Sequence, residues 1–203
     1  MKIKKKLAKE RSKLKRSVFF SILLMVAMLY LVLVLDDQGY FVGLERTLIY
    51  ANLYIIEFLF IVYMFRLYIE STFDVIFKQD RIKIIKFFSQ SVNIPFDNIV
   101  FVDVIEKYQD DFYILILLDK MKRSKSLILF DKQFALNHNE YLKSYKEAST
   151  IYGREKFYCY IIKLGGAKKY FYLYKLYKTC YRAEFTDTAI KYIKRVIEEY
   201  NLS

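Results

Sequence analysis

The sequence predicts an α+β membrane protein: a two-helix transmembrane hairpin, then a mainly antiparallel β domain closed by a C-terminal amphipathic helix. Three observations carry that expectation. Two apolar runs of 18 residues lie in the first third of the chain, at 18–35 and 48–65. Short runs rich in β-branched and aromatic residues recur between Phe73 and Phe130, with polar turns between them. Residues 187–200 repeat apolar side chains at three- and four-residue spacing.

The composition agrees with such a division. Hydrophobic residues make up 55% of the chain, yet the formal net charge is +12. Both hold at once when the greasy segments are concentrated in one place and Lys and Arg elsewhere. With 5 Gly and 1 Pro, long flexible linkers and Pro-rich tracts are excluded.

The first stretch, MKIKKKLAKERSKLKR, carries nine Lys/Arg and one Glu, a net +8, and defines a basic N-terminal segment, 1–17. The run VFFSILLMVAMLYLVLVL, 18–35, follows without a charged residue. As a helix it spans roughly 27 Å, close to the ~30 Å hydrocarbon core. A secretory signal also passes from basic to apolar, but its apolar core is shorter and ends in small residues. This run ends in LVLVLDDQGY, so an uncleaved membrane helix is expected. The loop 36–47 has a net charge of −2, from Asp36, Asp37, Glu45 and Arg46. The second run, 48–65, ends at Arg66, which completes a hairpin over 18–66. Lys and Arg remain on the cytoplasmic side of a membrane. The segment 66–203 holds 24 Lys/Arg and 17 Asp/Glu. Both rules place the protein in the inner (plasma) membrane as a two-pass protein with N- and C-termini in the cytoplasm.

Glu57 falls near the middle of the second span, where a charged carboxylate costs several kcal/mol (the amount is debated). Three readings are open. The carboxyl group could be protonated and hydrogen-bonded within the helix pair, to Tyr54 one turn back or to Tyr30 across the hairpin. It could join copies of the chain or a second membrane protein, as polar side chains in lipid seek partners across helices. It could relay protons, although one carboxylate on two helices offers no path. Asn52 is a further polar residue of this span.

From Ser71 the pattern becomes that of strands, so 71–203 is expected to be a cytoplasmic domain. FDVIF and RIKIIKFF flank Gln79-Asp80, a plausible hairpin turn, and Ile82 and Ile84 alternate with charged neighbours. Pro95 cannot donate to a ladder and marks a strand edge or start. NIVFVDVIEKY and DFYILILL are separated by Gln109-Asp110; the second is apolar throughout, like a central strand buried on both faces. SLILF, 126–130, follows the basic turn KMKRSK. These five strands argue for an antiparallel sheet or a small barrel. Residues 137–148 place Tyr141, Leu142, Tyr145 and Ala148 on one helical face, with Asn137 or Asn139 as cap. KFYCYIIKL, 156–164, is again strand-like and Gly165-Gly166 a turn. In the final helix, 187–200, Ala189, Ile190, Ile193, Val196, Ile197 and Tyr200 form the apolar stripe, with Thr186 or Asp187 as N-cap.

This order of parts resembles the YcxB-like bacterial membrane proteins. The resemblance covers about 18–148 and is carried best by Ile94–Leu118: I-P-F-D-x-I, an acidic turn, then D-F-Y-I-x-L. It implies a pleckstrin-homology-like (PH-like) barrel, a curved antiparallel sheet closed by a helix, with no enzymatic activity and no cofactor. Residues 153–203 either complete that barrel or form an added module.

Motifs for catalysis are missing from the sequence. Gly165-Gly166 lacks the frame of a phosphate-binding loop, and there is no G-x-S-x-G turn. The single His138 is read as a surface or capping residue. A four-ligand Cys/His zinc site is impossible with one His and two Cys. Cys159 and Cys180 are read as two free thiols, with a disulfide as the alternative; Cys159 belongs to an apolar strand, and Cys180 has basic neighbours. Asp110 and Asp111 are read as solvated turn residues.

The segment 167–182, AKKYFYLYKLYKTCYR, is more informative. It combines Lys168, Lys169, Lys175, Lys178 and Arg182 with Tyr170, Tyr172, Tyr174, Tyr177 and Tyr181, and holds no acid. Positive charge among amphipathic rings suits anionic lipid headgroups, each basic residue contributing about 1 kcal/mol near the surface. Single-stranded nucleic acid uses the same two tools; a tether to the membrane favours lipid. The plainer reading is an element whose tyrosines are core and whose lysines are solvated. The expected partners are therefore anionic membrane lipids together with another membrane or cytosolic protein, or further copies of the chain.

Overall fold

The computed structural model describes residues 3–86, 89–107, 111–120 and 126–201. The chain divides into two compact units. One is Ala8–Ser71; the other joins Met1–Leu7 to Thr72–Ser203.

The first unit is helical. Helix α1 covers Ile3–Asp37 and α2 covers Leu44–Thr72, so each helix is longer than its apolar run. The basic segment is thus continuous with the first span as one helix. Both helices are long and apolar enough to cross a membrane, and only 6% of each apolar window is buried. That exposure separates them from the core helices of a soluble protein, which hide an apolar stripe. Polar contacts pin the hairpin near both ends. Asp36 accepts hydrogen bonds from Arg46 and Tyr50, each at 2.8 Å, and Ser17 and Tyr63 share one of 2.7 Å.

The second unit contains two sheets. Strands β1 (Asp74–Phe77), β2 (Arg81–Lys86) and β3 (Ser89–Pro95) form an antiparallel meander. The second sheet has the order β6-β7-β5-β4-β8, from β4 (Ile99–Glu106), β5 (Phe112–Leu118), β6 (Ile128–Phe130), β7 (Phe157–Ile162) and β8 (Glu184–Phe185). It is mixed, because β8 pairs parallel with β4. Among the described residues no ladder joins the two sheets. Compared with the six strands expected, β3 and β8 are additional, and Pro95 lies at the end of β3, an edge strand, as the edge alternative of its reading has it. β3 escapes notice because Ser89, Gln90, Ser91 and Asn93 dilute its alternation, leaving Val92 and Ile94 as the buried positions. The expected turn at Gln109-Asp110 lies outside the described residues, as does most of KMKRSK.

β5 is the central strand that its composition predicts. Phe112, Ile114, Ile116 and Leu118 enter one core and Leu115 and Leu117 the other, all of them fully buried. Each such side chain stabilises the fold by about 1.5–3 kcal/mol. The second core lies under α3 (Lys132–Asn137) and α4 (Leu142–Tyr152), which bury Ala135, Tyr145 and Ala148. The expected helix at 137–148 thus starts later, and neither Asn137 nor Asn139 caps it; the capping side chain is Asp131, which accepts from the Phe134 N–H at the start of α3. A six-residue helix gives too little periodicity to be seen in sequence.

The first core lies under α5 (Lys168–Thr179) and α6 (Asp187–Tyr200). Thr186 caps α6 by accepting from the Ala189 N–H at 3.2 Å, and Ala189, Tyr192, Ile193 and Val196 are buried. Residues 153–203 are integral to this domain, since β7 lies between β5 and β6 and pairs with both. A buried carboxylate joins its parts. Asp103 on β4 is 5% exposed and accepts from Ser144 of α4, from Thr186 and from the Val104 N–H.

Candidate functional site

The basic, tyrosine-rich segment folds mainly as helix α5. Its N-terminal half points inward. Lys169 is 1% exposed; its Nζ donates to Asp111 Oδ1 at 2.6 Å, to the Phe112 carbonyl, and to the Lys163 carbonyl at 3.2 Å. The ammonium also lies 5.2 Å from the Phe112 ring centroid. Such a cation is held by desolvated, hydrogen-bonded partners and is not offered to a ligand. Tyr170 stacks on Tyr192 at 5.7 Å and meets Phe112 edge-on at 4.8 Å. Tyr172 donates to Asp74 at 2.7 Å, and burial followed by that bond holds its phenol far above the ordinary range. Lys169, Tyr170 and Tyr172 are therefore interior residues, a correction to their reading as surface groups. Asp111 keeps a half-exposed side chain, as a turn residue would, and in addition accepts from Lys169, while Asp110 lies outside the described residues.

The other half of the segment faces out. Lys175, Lys178 and Arg182 are exposed, and Lys168 is half-buried. Tyr177 packs edge-on against Phe185 at 5.3 Å, while Tyr181 is 90% exposed. The Lys178 ammonium lies 5.1 Å from the Tyr174 centroid and that of Lys175 lies 5.6 Å from Phe77, so both stems are steered by rings below them. Lys178 is also in the last turn of α5, where the helix dipole favours a cation. Helix α6 extends this surface. Its outward positions are Asp187, Lys191, Lys194, Arg195 and Glu198, and α6 contacts α5 through the Tyr170–Tyr192 stack and an edge-on pair, Phe171–Tyr200, at 4.9 Å. Lys191, Lys194 and Arg195 were legible only as the polar side of an amphipathic helix; no local motif marks them.

Within the helical unit, Glu57 is half-buried, on the same face of α2 as Leu53 (3% exposed), Phe60 and Met64. Among the described residues it has no hydrogen-bond or ion-pair partner. Tyr30 and Tyr54 are 69% and 63% exposed, and neither bonds to Glu57, so pairing within the hairpin is not found. The Asn52 amide donates to the Leu48 carbonyl of its own helix at 2.9 Å. Interpolating between the Asp36–Tyr50 and Ser17–Tyr63 contacts sets Glu57 at the level of Met25 and Met28, which are apolar.

Both cysteines are free and buried. Burial pushes the Cys159 thiol up to about 12 and the Cys180 thiol up to about 11, so neither supplies a thiolate near neutral pH. The basic neighbours of Cys180 do not reverse this, since its side chain points into the first core. His138 is exposed, follows α3 as its C-cap, and rests against Phe134 at 4.7 Å.

Compared with known proteins, the chain matches no family model, no curated protein and no solved structure.

Proposed function

We propose that this is a two-pass membrane protein of the YcxB-like type, a non-catalytic binding or scaffold protein of the inner membrane. In this reading α1 and α2 anchor a PH-like domain at the cytoplasmic surface. That domain recognises a protein partner, with anionic lipid headgroups as a second ligand. The observation that carries the reading is the exposure of large apolar side chains along both long helices, among them Phe19, Phe20, Val26, Ile55, Phe58 and Leu59. In water such a surface drives aggregation; in lipid it is the ordinary exterior of a span. The two-sided charge pattern supports the orientation, and the grouping of Met1–Leu7 with Thr72–Ser203 supports an even number of crossings between them. The meander β1–β3, the β4–β5 hairpin and the closing helix α6 support the PH-like assignment.

Lipid recognition is assigned to Lys175, Lys178 and Arg182 with Tyr177 and Tyr181, extended by Lys191, Lys194 and Arg195. The test is chemical footprinting of the full chain in nanodiscs. Acetylation of Lys175 and Lys178 is expected to slow about 3-fold or more when phosphatidylglycerol replaces phosphatidylcholine, and to recover in high salt. Equal labelling on both lipids removes the lipid part of the proposal.

A second reading is favoured by Glu57: the chain is a subunit of a membrane complex for transport, secretion or toxin immunity, docked through α2. A mid-span carboxyl group with no partner among the described residues of its own chain calls for one in another. Glu57→Leu is expected to leave the protein in the membrane, since it removes a cost of about 3 kcal/mol, while co-purification of partner spans is lost. Undiminished co-purification rejects this docking role.

A further inference from the structure

Helix α1 opens at Ile3 with Ile-Lys-Lys-Lys and holds no acid in its first turn, while the first N–H groups of any helix need acceptors from outside its own ladder. The missing acceptor comes from the opposite end of the sequence. Glu199, in the last turn of α6, accepts from the Ile3 N–H at 2.6 Å with Oε2 and from the Lys4 N–H at 2.8 Å with Oε1. A carboxylate at a helix N-terminus is also favoured by the dipole. Three further contacts secure the turn. Ile3 is 4% exposed and belongs to the first core, Leu7 packs against that core, and the Lys4 ammonium lies 4.6 Å from the Tyr200 centroid. This is why Met1–Leu7 form one compact unit with Thr72–Ser203.

We propose that Ile3–Leu7 is a strap seated on α6, that Glu199 is its latch, and that α1 passes changes in the membrane to the C-terminal domain through it. α1 is helical from the strap to Asp37, without Gly or Pro, so the strap and the 18–35 span belong to one helix. The other end of the hairpin enters the domain covalently, where α2 ends at Thr72 and β1 begins at Asp74. The chain thus leaves the domain for the helical unit at two places, after the breakable strap and before Thr72. Movement of α1 against α2 loads the strap, and release uncovers the seat of Ile3 and the end of α6. The anchoring role of the hairpin is taken from the preceding section; the latch itself is tested without reference to lipid or partner binding.

The experiment is amide hydrogen exchange on the full chain in nanodiscs. In the native protein the Ile3 and Lys4 amides are expected to exchange at least ~10-fold more slowly than in Glu199→Ala, with Glu199→Gln between them, because a carboxamide keeps one acceptor oxygen. Amides of β5 and α2 should be unchanged, which separates an open latch from an unfolded domain. Equal exchange in native protein and Glu199→Ala overturns the latch. Transmission is tested by inserting two alanines after Lys9, which turns the strap by about 200° relative to the span. Faster exchange at Ile3, Lys4 and the last turn of α6 is expected; unchanged exchange there overturns transmission even if the latch stands.

Discussion

Replacing Asp103 with alanine is expected to destabilise the C-terminal domain by about 2–4 kcal/mol, a fall in melting temperature of roughly 5–15 °C. The reason is the number of groups that depend on one carboxylate. Ser144 is 1% exposed, and its hydroxyl donates to Asp103 from α4 on one side. Thr186 donates from the start of α6, where its oxygen also caps the helix. Alanine leaves the buried Ser144 hydroxyl and Val104 N–H, and the half-buried Thr186 hydroxyl, without that acceptor. Asp103→Asn retains one acceptor oxygen and should lose about half as much. Thermal unfolding followed by circular dichroism of the purified chain measures both. An alanine variant that melts with the native protein would mean that the network adds nothing to stability.

Lys169 supplies the second large effect. Lys169→Met keeps the length of the stem and removes the donor, so the Phe112 and Lys163 carbonyls lose a partner. The expected cost is about 2–3 kcal/mol, and Lys169→Ala should cost more because a cavity remains. Asp111 adds little to this, because its side chain is 47% exposed and rehydrates. Lys178→Glu and Arg182→Glu should leave stability within about 0.5 kcal/mol, as surface substitutions do. In footprinting on anionic nanodiscs the pattern reverses: Lys169→Met retains the lipid effect and the double variant loses it. If Lys169→Met proves neutral to stability while weakening the lipid effect, Lys169 belongs to the surface after all.

The two lysines, Lys169 and Lys178, show how much of the site the sequence contains. They are nine residues apart in one basic, tyrosine-rich segment with no acid. Composition treats them alike. Helical geometry turns Lys169 under α5, toward Asp111 at 58 residues' separation, and Lys178 outward. Nothing local distinguishes a buried lysine from a solvated one, because its partners are backbone carbonyls brought up by two strands. Glu57 differs. Its position in the middle of an apolar run was plain from the sequence, but its lack of a partner among the described residues was not, since that depends on where Tyr30 and Tyr54 point. The strap is hidden for a similar reason: Ile3 and Glu199 are 196 positions apart.

By itself, the sequence determined the two long apolar helices, the strands β1, β2, β4, β5, β6 and β7, the helix at 187–200 and the side of it that is buried. These follow from short-range periodicity and run length, which a chain carries in any surroundings. Only the tertiary structure decided the place of β7 between β5 and β6, the added strands β3 and β8, the inward turn of Lys169 and the docking of the N-terminus on α6. Each of these rests on pairing between distant residues, and partners so far apart leave no local periodic trace in a single sequence.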